Sequence, residues 1–364
     1  MFCSKHPGQQ ATGRFRVHFG RKTQKRFKTF AEAERFLDGV RYEVDRGTFD
    51  PRDYQKGNPL GFSVLSEKWL KVKQREVSAS TNRCYANYMR KACAVWASMN
   101  VKKICYSDLE DFLFDQDCSD KTRADIRACL HTFWKWLLKR KIISIQQFPE
   151  FPTIKYNLAF RNLIDKDTQN AIIEEVKRLT FKQNPKVWLG IKWLATYIAI
   201  RPNEMLNLTE KDIDYKTGYF YVRKTKEGKV KIVPMLQEDI EYLKKMPIGL
   251  PDLPFFRHVG GYSGFQGGKK FGSRYFYKTW IKACKNLGIE NIDLYGGTRH
   301  STATALRKFL SPEQIKAGTM HSTNKAFDRY LQIQNDDALS VYELARSGKR
   351  VSYQNGTSKK SNVP

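Results

Sequence analysis

At 364 residues the chain has room for two or three domains with real cores, and Lys and Arg outnumber Asp and Glu by 65 to 37. A formal charge of +28 and a pI near 9.8 imply a polyanionic partner, nucleic acid first. Aromatic residues at 13% exclude a disordered basic tail as the whole molecule.

Residues 14–20 (RFRVHFG) alternate strictly, with Phe15, Val17 and Phe19 on one face and Arg14, Arg16 and His18 on the other. QKRFKTF predicts a returning strand. Thr29 with Glu32 then predicts a capping box for a helix bearing Phe36, Leu37, Val40 and Val44, closed near Gly47. Such a basic ribbon can lie in a DNA groove and read base edges with Arg14 or Arg16. Residues 50–61 read as a linker from their Pro, Gly and Asp content.

Helical spacing follows. Val64, Leu65, Trp69 and Val72 mark one helix; Ser80 is read as the cap of a second, bearing Cys84, Tyr85, Tyr88, Met89, Ala92 and Trp96. Ser107 and Glu110 are read as the box of a short third. Ser119 opens a fourth with Ile126, Leu130, Phe133, Leu137 and Leu138, and its far end carries Lys135, Lys139, Arg140 and Lys141, suited to phosphate contacts. Residues 148–156 form a second, Pro-containing linker.

In the second half, Asp165 or Thr168 starts a helix, and residues 185–200 form a long apolar one that runs into Arg201-Pro202-Asn203-Glu204. Arg201 reads either as a buried, oriented guanidinium or, more simply, as a surface arginine at a helix end. Residues 218–234 predict a hairpin with Phe220 and Val222 against Val230 and Ile232 and a mobile basic tip, followed by a helix over 271–287. Residues 296–330 predict three helical segments. The first covers 301–310, the second runs from Ser311 to Gly318 as its C′ residue, and the third is capped by Ser322 or Thr323 and buries Ala326, Phe327, Tyr330 and Leu331. Ala338, Val341, Tyr342 and Ala345 predict one more helix, and residues 348–364 a disordered tail. Taken alone, Tyr330 reads as a core tyrosine and His321 as a capping or packing histidine.

Together these residues resemble the tyrosine recombinase (phage integrase) family over most of the chain. Ile200-Arg201-Pro202-Asn203-Glu204 matches the first-arginine pattern A/G-R-x-x-E. The hairpin lysine stands eight residues before the proline of a V-P pair, which selects Lys226, with Lys224 as alternate. Residues 296–304 (GGTRHSTAT) match H-x-x-R-H-[ST]-x-A-T with Arg299, and Met320-His321-Ser322 matches G-H-[ST]; nine residues beyond that histidine stands Tyr330. One position departs: Gly296 occupies the place of the motif histidine, and Tyr295, His300 or a water beside it are the substitutes at hand.

The resemblance implies a mainly α, α+β multidomain chain with small β-sheets: a sheet-plus-helix arm-type DNA-binding domain (1–57), a helical core-site domain (58–152), a mixed α/β catalytic domain with a C-terminal helix (153–347) and the tail. It implies a site-specific recombinase that cleaves and rejoins DNA through a 3′-phosphotyrosine, with Arg201, Lys226, Arg299, His321 and Tyr330 catalytic and neither metal, ATP nor cofactor needed. The partners implied are double-stranded recombination sites, a homotetramer on DNA and accessory DNA-bending proteins, in the cytoplasm and nucleoid of a bacterial host of a phage or mobile element. Gly296 keeps open an alternative, an impaired relative acting as an architectural DNA-binding protein. Seven cysteines without a C-x-x-C pair or a histidine at zinc spacing predict free thiols in a reducing compartment. No apolar run of membrane-spanning length and no signal-peptide core are seen, so a soluble protein is expected.

Overall fold

The computed structural model describes residues 15–19, 23–55, 57–157, 161–260, 267–320, 342 and 345–346, and the chain divides into two compact units, Met1–Leu158 and Ala159–Pro364. No helix among the described residues is long and apolar enough to cross a membrane.

In the first unit, β1 (Phe15–Phe19) pairs antiparallel with β2 (Thr23–Phe27), Phe15 opposite Phe27 and Val17 opposite Lys25. Helix α1 (Phe30–Asp45) starts in the predicted box: the Glu32 amide donates to the Thr29 hydroxyl, and the Thr29 amide to the Glu32 carboxylate. Val17, Ala33 and Leu37 are buried between ribbon and helix, leaving Arg16 and His18 exposed. So small a core contributes little, since burial scales with area. A half-buried lysine adds a polar tie: Lys102 Nζ bonds Asp50 at 2.7 Å and Asp53 at 2.8 Å.

The helical part of this unit has, among the described residues, α2 (Phe62–Glu76), α3 (Ala79–Trp96), α4 (Tyr106–Phe114) and α5 (Asp120–Lys139) around Phe62, whose ring lies 5.3–5.9 Å from those of Trp96, Phe133 and Trp134. Two caps differ from expectation. Ser78, not Ser80, accepts the Thr81 amide, which leaves Ser80 inside the first turn. Cys105 and Asp108 form the box of α4. Glu110 instead accepts from the Tyr106 hydroxyl at 2.9 Å, so it cannot reach back to the cap.

The second unit contains α6 (Lys166–Thr180), α7 (Pro185–Thr196) and α8 (Pro202–Leu206). After them come an antiparallel sheet of β3 (Ile213–Asp214), β4 (Tyr219–Val222) and β5 (Lys231–Pro234), then α9 (Gln237–Lys244) and α10 (Tyr275–Asn286). A π-helical turn (Gly296–His300) feeds α11 (Ser301–Ala305), a 3-10 turn (Leu306–Lys308) and α12 (Pro312–Thr319). Trp193 of α7 anchors the core, its ring 4.9 Å from Phe220 and 5.6 Å from Phe255. Gly190 is required there, because a Cβ would stand 2.4 Å from the Phe276 ring.

Five expectations are corrected in this unit, and three of the corrections serve the site. The apolar helix stops at Thr196 rather than Ile200; Tyr197 caps it and donates its hydroxyl to Asp239 at 2.5 Å, so the chain unwinds and frees the Ala199 carbonyl. In the hairpin, Phe220 faces Val233 and Val222 faces Lys231, one residue off the expected register; Val230 and Ile232 are exposed. A slip of one exchanges the faces of a strand, and here it is the buried Lys231 that takes a core-facing place. Gly318 lies within α12, which continues through buried Thr319 to a left-handed Met320 (φ 53°). The single helix expected over 301–310 is instead α11 plus the 3-10 turn, and the helix expected from 271 begins at Tyr275.

Candidate active site

Arg201 is the N-cap of α8, where the chain turns out of the buried segment after α7. Its amide donates to Glu204 Oε2 and its Nη1 to Glu204 Oε1, both at 3.0 Å. The same guanidinium reaches the hairpin tip: Nη2 lies 2.7 Å from Glu227 Oε1, and Nη1 3.0 Å from Oε2. Burial alone would lower the Arg201 pKa, but Glu204 and Glu227 outweigh it and hold it above the ordinary value. Of the two readings left open for Arg201, the oriented guanidinium is the one observed.

Glu204 is buried, and its charge is matched a second time by Lys231 Nζ at 2.8 Å. Lys231 also donates to the Ala199 carbonyl at 3.1 Å, an oxygen that Arg299 Nη1 approaches at 3.4 Å. Burial lowers the Lys231 pKa, with Glu204 only partly offsetting it. Arg299, 1% exposed, further donates Nη2 to the Thr319 carbonyl at 3.2 Å. The unwound residues after α7 and the overlong α12 thus each present one carbonyl to the second arginine.

The turn carrying Arg299 is braced by Gln169, whose Nε2 donates to the carbonyls of Gly297 (2.8 Å) and Thr298 (3.2 Å). A Cβ at Gly297 would meet the Trp280 ring at 2.3 Å, and one at Gly296 the Asn162 carbonyl at 2.8 Å. The position of the motif histidine is therefore closed to any side chain. His300 is buried and its pKa is pushed down to about 4, by burial first and then by Arg161 and Arg299, so it is neutral near pH 7. The Tyr295 ring lies 5.1 Å from His300, with the guanidinium carbons of Arg161 and Arg299 at 5.2 and 5.9 Å.

Lys226 is exposed at the hairpin tip, its amide 3.4 Å from Glu204 Oε1; Lys224 is also exposed. The structure brings together Arg201, the Lys226 backbone, Arg299, Tyr295 and His300 through shared partners. His321 and Tyr330 lie outside the described residues, as does Arg14. In the other unit Arg16, Lys135, Lys139, Arg140 and Lys141 are all exposed, and the Arg140 guanidinium lies 5.0 Å from the Trp136 ring centroid. Gln169, Glu227 and Lys231 were not anticipated as site residues. Only Gln169 left a local signal, a polar residue on the apolar face of α6.

The second unit thus sets its hairpin against one arginine, Arg201, and holds another, Arg299, in a buried turn. Residues 162–336 match the model of the phage integrase family, so this part of the chain is a phage integrase domain. Among solved structures it is similar to the Tn1549 transposon integrase in complex with circular intermediate DNA (TM-score 0.58, 17% identity, 78% of this chain and 99% of that one). It is similar also to a lambda integrase dimer bound to a COC′ core site (0.60, 12%, 95% and 97%) and to a lambda integrase tetramer bound to a Holliday junction (0.59, 15%, 89% and 93%). At these identities the likeness is one of fold. No curated protein matches the chain.

Proposed function

We propose that this protein is a site-specific DNA recombinase that integrates or excises a mobile element through a covalent 3′-phosphotyrosine. The observation that carries the reading is the joint suspension of Arg201 and Arg299 from one network: Arg201–Glu204–Lys231–Ala199 O–Arg299. Phosphoryl transfer places extra negative charge on the non-bridging oxygens, and two prepositioned guanidinium groups stabilise it without reorganising. Arginine keeps its charge at any working pH, so the step needs no metal ion.

Tyr330 is the proposed nucleophile. Its oxygen forms the bond to phosphorus as the 5′-oxygen leaves, and Lys226 supplies the proton to that leaving oxygen. His321 adds a further donor to the phosphate. The ester retains the free energy of the phosphodiester bond, so attack by a 5′-hydroxyl rejoins a strand without ATP. Residues 1–57 are proposed to bind arm-type sites, with Arg14 and Arg16 at base edges, and residues 58–152 to bind core sites through Lys135, Lys139, Arg140 and Lys141. Residues 153–347 perform the chemistry, in a tetramer on DNA helped by DNA-bending proteins, in the nucleoid of the host cell. The architectural alternative has Gly296 in its favour, whereas the arginine network favours chemistry.

A recombination assay tests this. Two plasmids carrying the paired ends of the element and their target are incubated with protein in EDTA. Joined product with wild type and none with Tyr330→Phe is expected; equal product from both overturns the reading.

A further inference from the structure

We infer that Arg161 takes the place of the missing motif histidine and binds the scissile phosphate, an assignment that rests on the recombinase reading above. Residues 161–164 cross the segment 291–301 as a strap. Asn162 Nδ2 donates to the Asn291 carbonyl at 3.0 Å, Arg161 pairs with Asp293, and the Ile164 amide donates to Ser301 Oγ at 3.0 Å. Asp293 accepts the Gly296 amide at 2.6 Å, and Ser301 donates to the Gly296 carbonyl at 2.8 Å. Every anchor of the strap thus brackets Gly296.

The space that a side chain at position 296 would enter is held by the strap itself. A Cβ there would stand 2.8 Å from the Asn162 carbonyl and 3.7 Å from the Arg161 Cβ. What replaces the imidazole is therefore an arginine delivered from another part of the chain. Its guanidinium and that of Arg299 lie against the same Tyr295 ring, and its side chain is 45% exposed. The Tyr295 ring attracts both cations. An arginine offers a forked pair of donors to phosphate oxygens. It cannot accept the phenolic proton at any working pH, so that proton leaves to water and Arg161 contributes charge and positioning alone. The buried, neutral His300 supplies no charge.

The test is single-turnover cleavage of a nicked duplex by the full chain, followed as protein–DNA adduct, with DNA affinity and thermal unfolding measured alongside. Arg161→Ala is expected to slow cleavage by about 10²–10³-fold, the loss typical of one preorganised donor, at unchanged affinity. Arg161→Lys, which keeps a cation, loses less. Asp293→Asn removes the charge of the ion-pair partner but leaves the guanidinium, and loses less than Arg161→Ala. With a neutral methylphosphonate at the scissile position, the Arg161→Ala deficit shrinks to less than about tenfold, a change that a purely structural role would not produce. Cleavage by Arg161→Ala within about twofold of wild type overturns the assignment, and so does an equal loss in Asp293→Asn, which would make the pair a fastener for the strap. An adduct from wild type with no Arg161 effect sinks only this inference; no adduct from wild type sinks the recombinase reading with it.

Discussion

Glu227 grips Arg201 with both carboxylate oxygens, at 2.7 Å to Nη2 and 3.0 Å to Nη1. A fork filled in this way has the geometry with which arginine receives a phosphate, so the hairpin that carries Lys226 is docked on the group proposed to receive the DNA phosphate. On the proposed function, a phosphodiester entering the site is expected to displace Glu227 and, with it, to move the hairpin tip. Glu227→Gln is expected to speed covalent-complex formation, by no more than about fivefold, because a partly exposed pair contributes about 1 kcal/mol at most. Single-turnover cleavage measures it. A tenfold slower variant would instead make Glu227 part of the competent site.

The buried pair Lys231–Glu204 predicts a stability defect with a defined coupling. Lys231→Met leaves a carboxylate that is 4% exposed without one of its two cationic partners, and is expected to cost about 3 kcal/mol. Adding Glu204→Gln should recover part of that loss. Urea denaturation of the four proteins of the cycle gives the coupling energy, and strictly additive effects would contradict the network.

Restoring the family residue should harm the protein. In Gly296→His the new Cβ meets the Asn162 carbonyl at 2.8 Å, so the strap must shift. A loss of about 1–3 kcal/mol is expected, with slower, not faster, cleavage. Gly296→Ala already places that Cβ and should show most of the effect on the melting temperature.

His300 predicts a pH dependence. Its pKa falls from 6.5 to about 4 on folding, so on acidification the unfolded chain takes up a proton before the native state does. Stability present above pH 6.5 is therefore lost as pH falls towards 4, by up to about 3 kcal/mol at 1.36 kcal/mol per unit. His300→Asn should flatten this part of the stability–pH curve, leaving the carboxylate contributions in place. An unchanged curve between pH 6.5 and 4.5 would show that folding does not depress the His300 pKa.

What could be read from the residues alone was what local spacing decides. The Thr29–Glu32 box, the Ser119 cap and the order of the arginine motifs involve partners a few residues apart, and the family fold follows from that order. The hairpin register was not legible, because alternation in KVKIVP suits either face. The choice is made by Glu204 and the Ala199 carbonyl, 27 and 32 residues away from Lys231. The end of the apolar helix was hidden for the same reason: Tyr197 leaves the helix to meet Asp239, 42 residues on. Gly296 could be seen as a departure, but its cause, the strap at Asn162, is a contact between distant segments. The role of Glu227 was masked by its setting, a lone acid among lysines that reads as a solvated tip.

The central claim is a tyrosine nucleophile acting without a metal ion, and covalent trapping tests it most directly. Wild type and Tyr330→Phe are mixed with DNA from the ends of the element in EDTA, quenched in SDS and resolved by size. The account predicts a DNA-linked band from wild type only. No band from either protein, with tight DNA binding intact, would contradict it and make the chain a DNA-binding relative without strand-transfer chemistry.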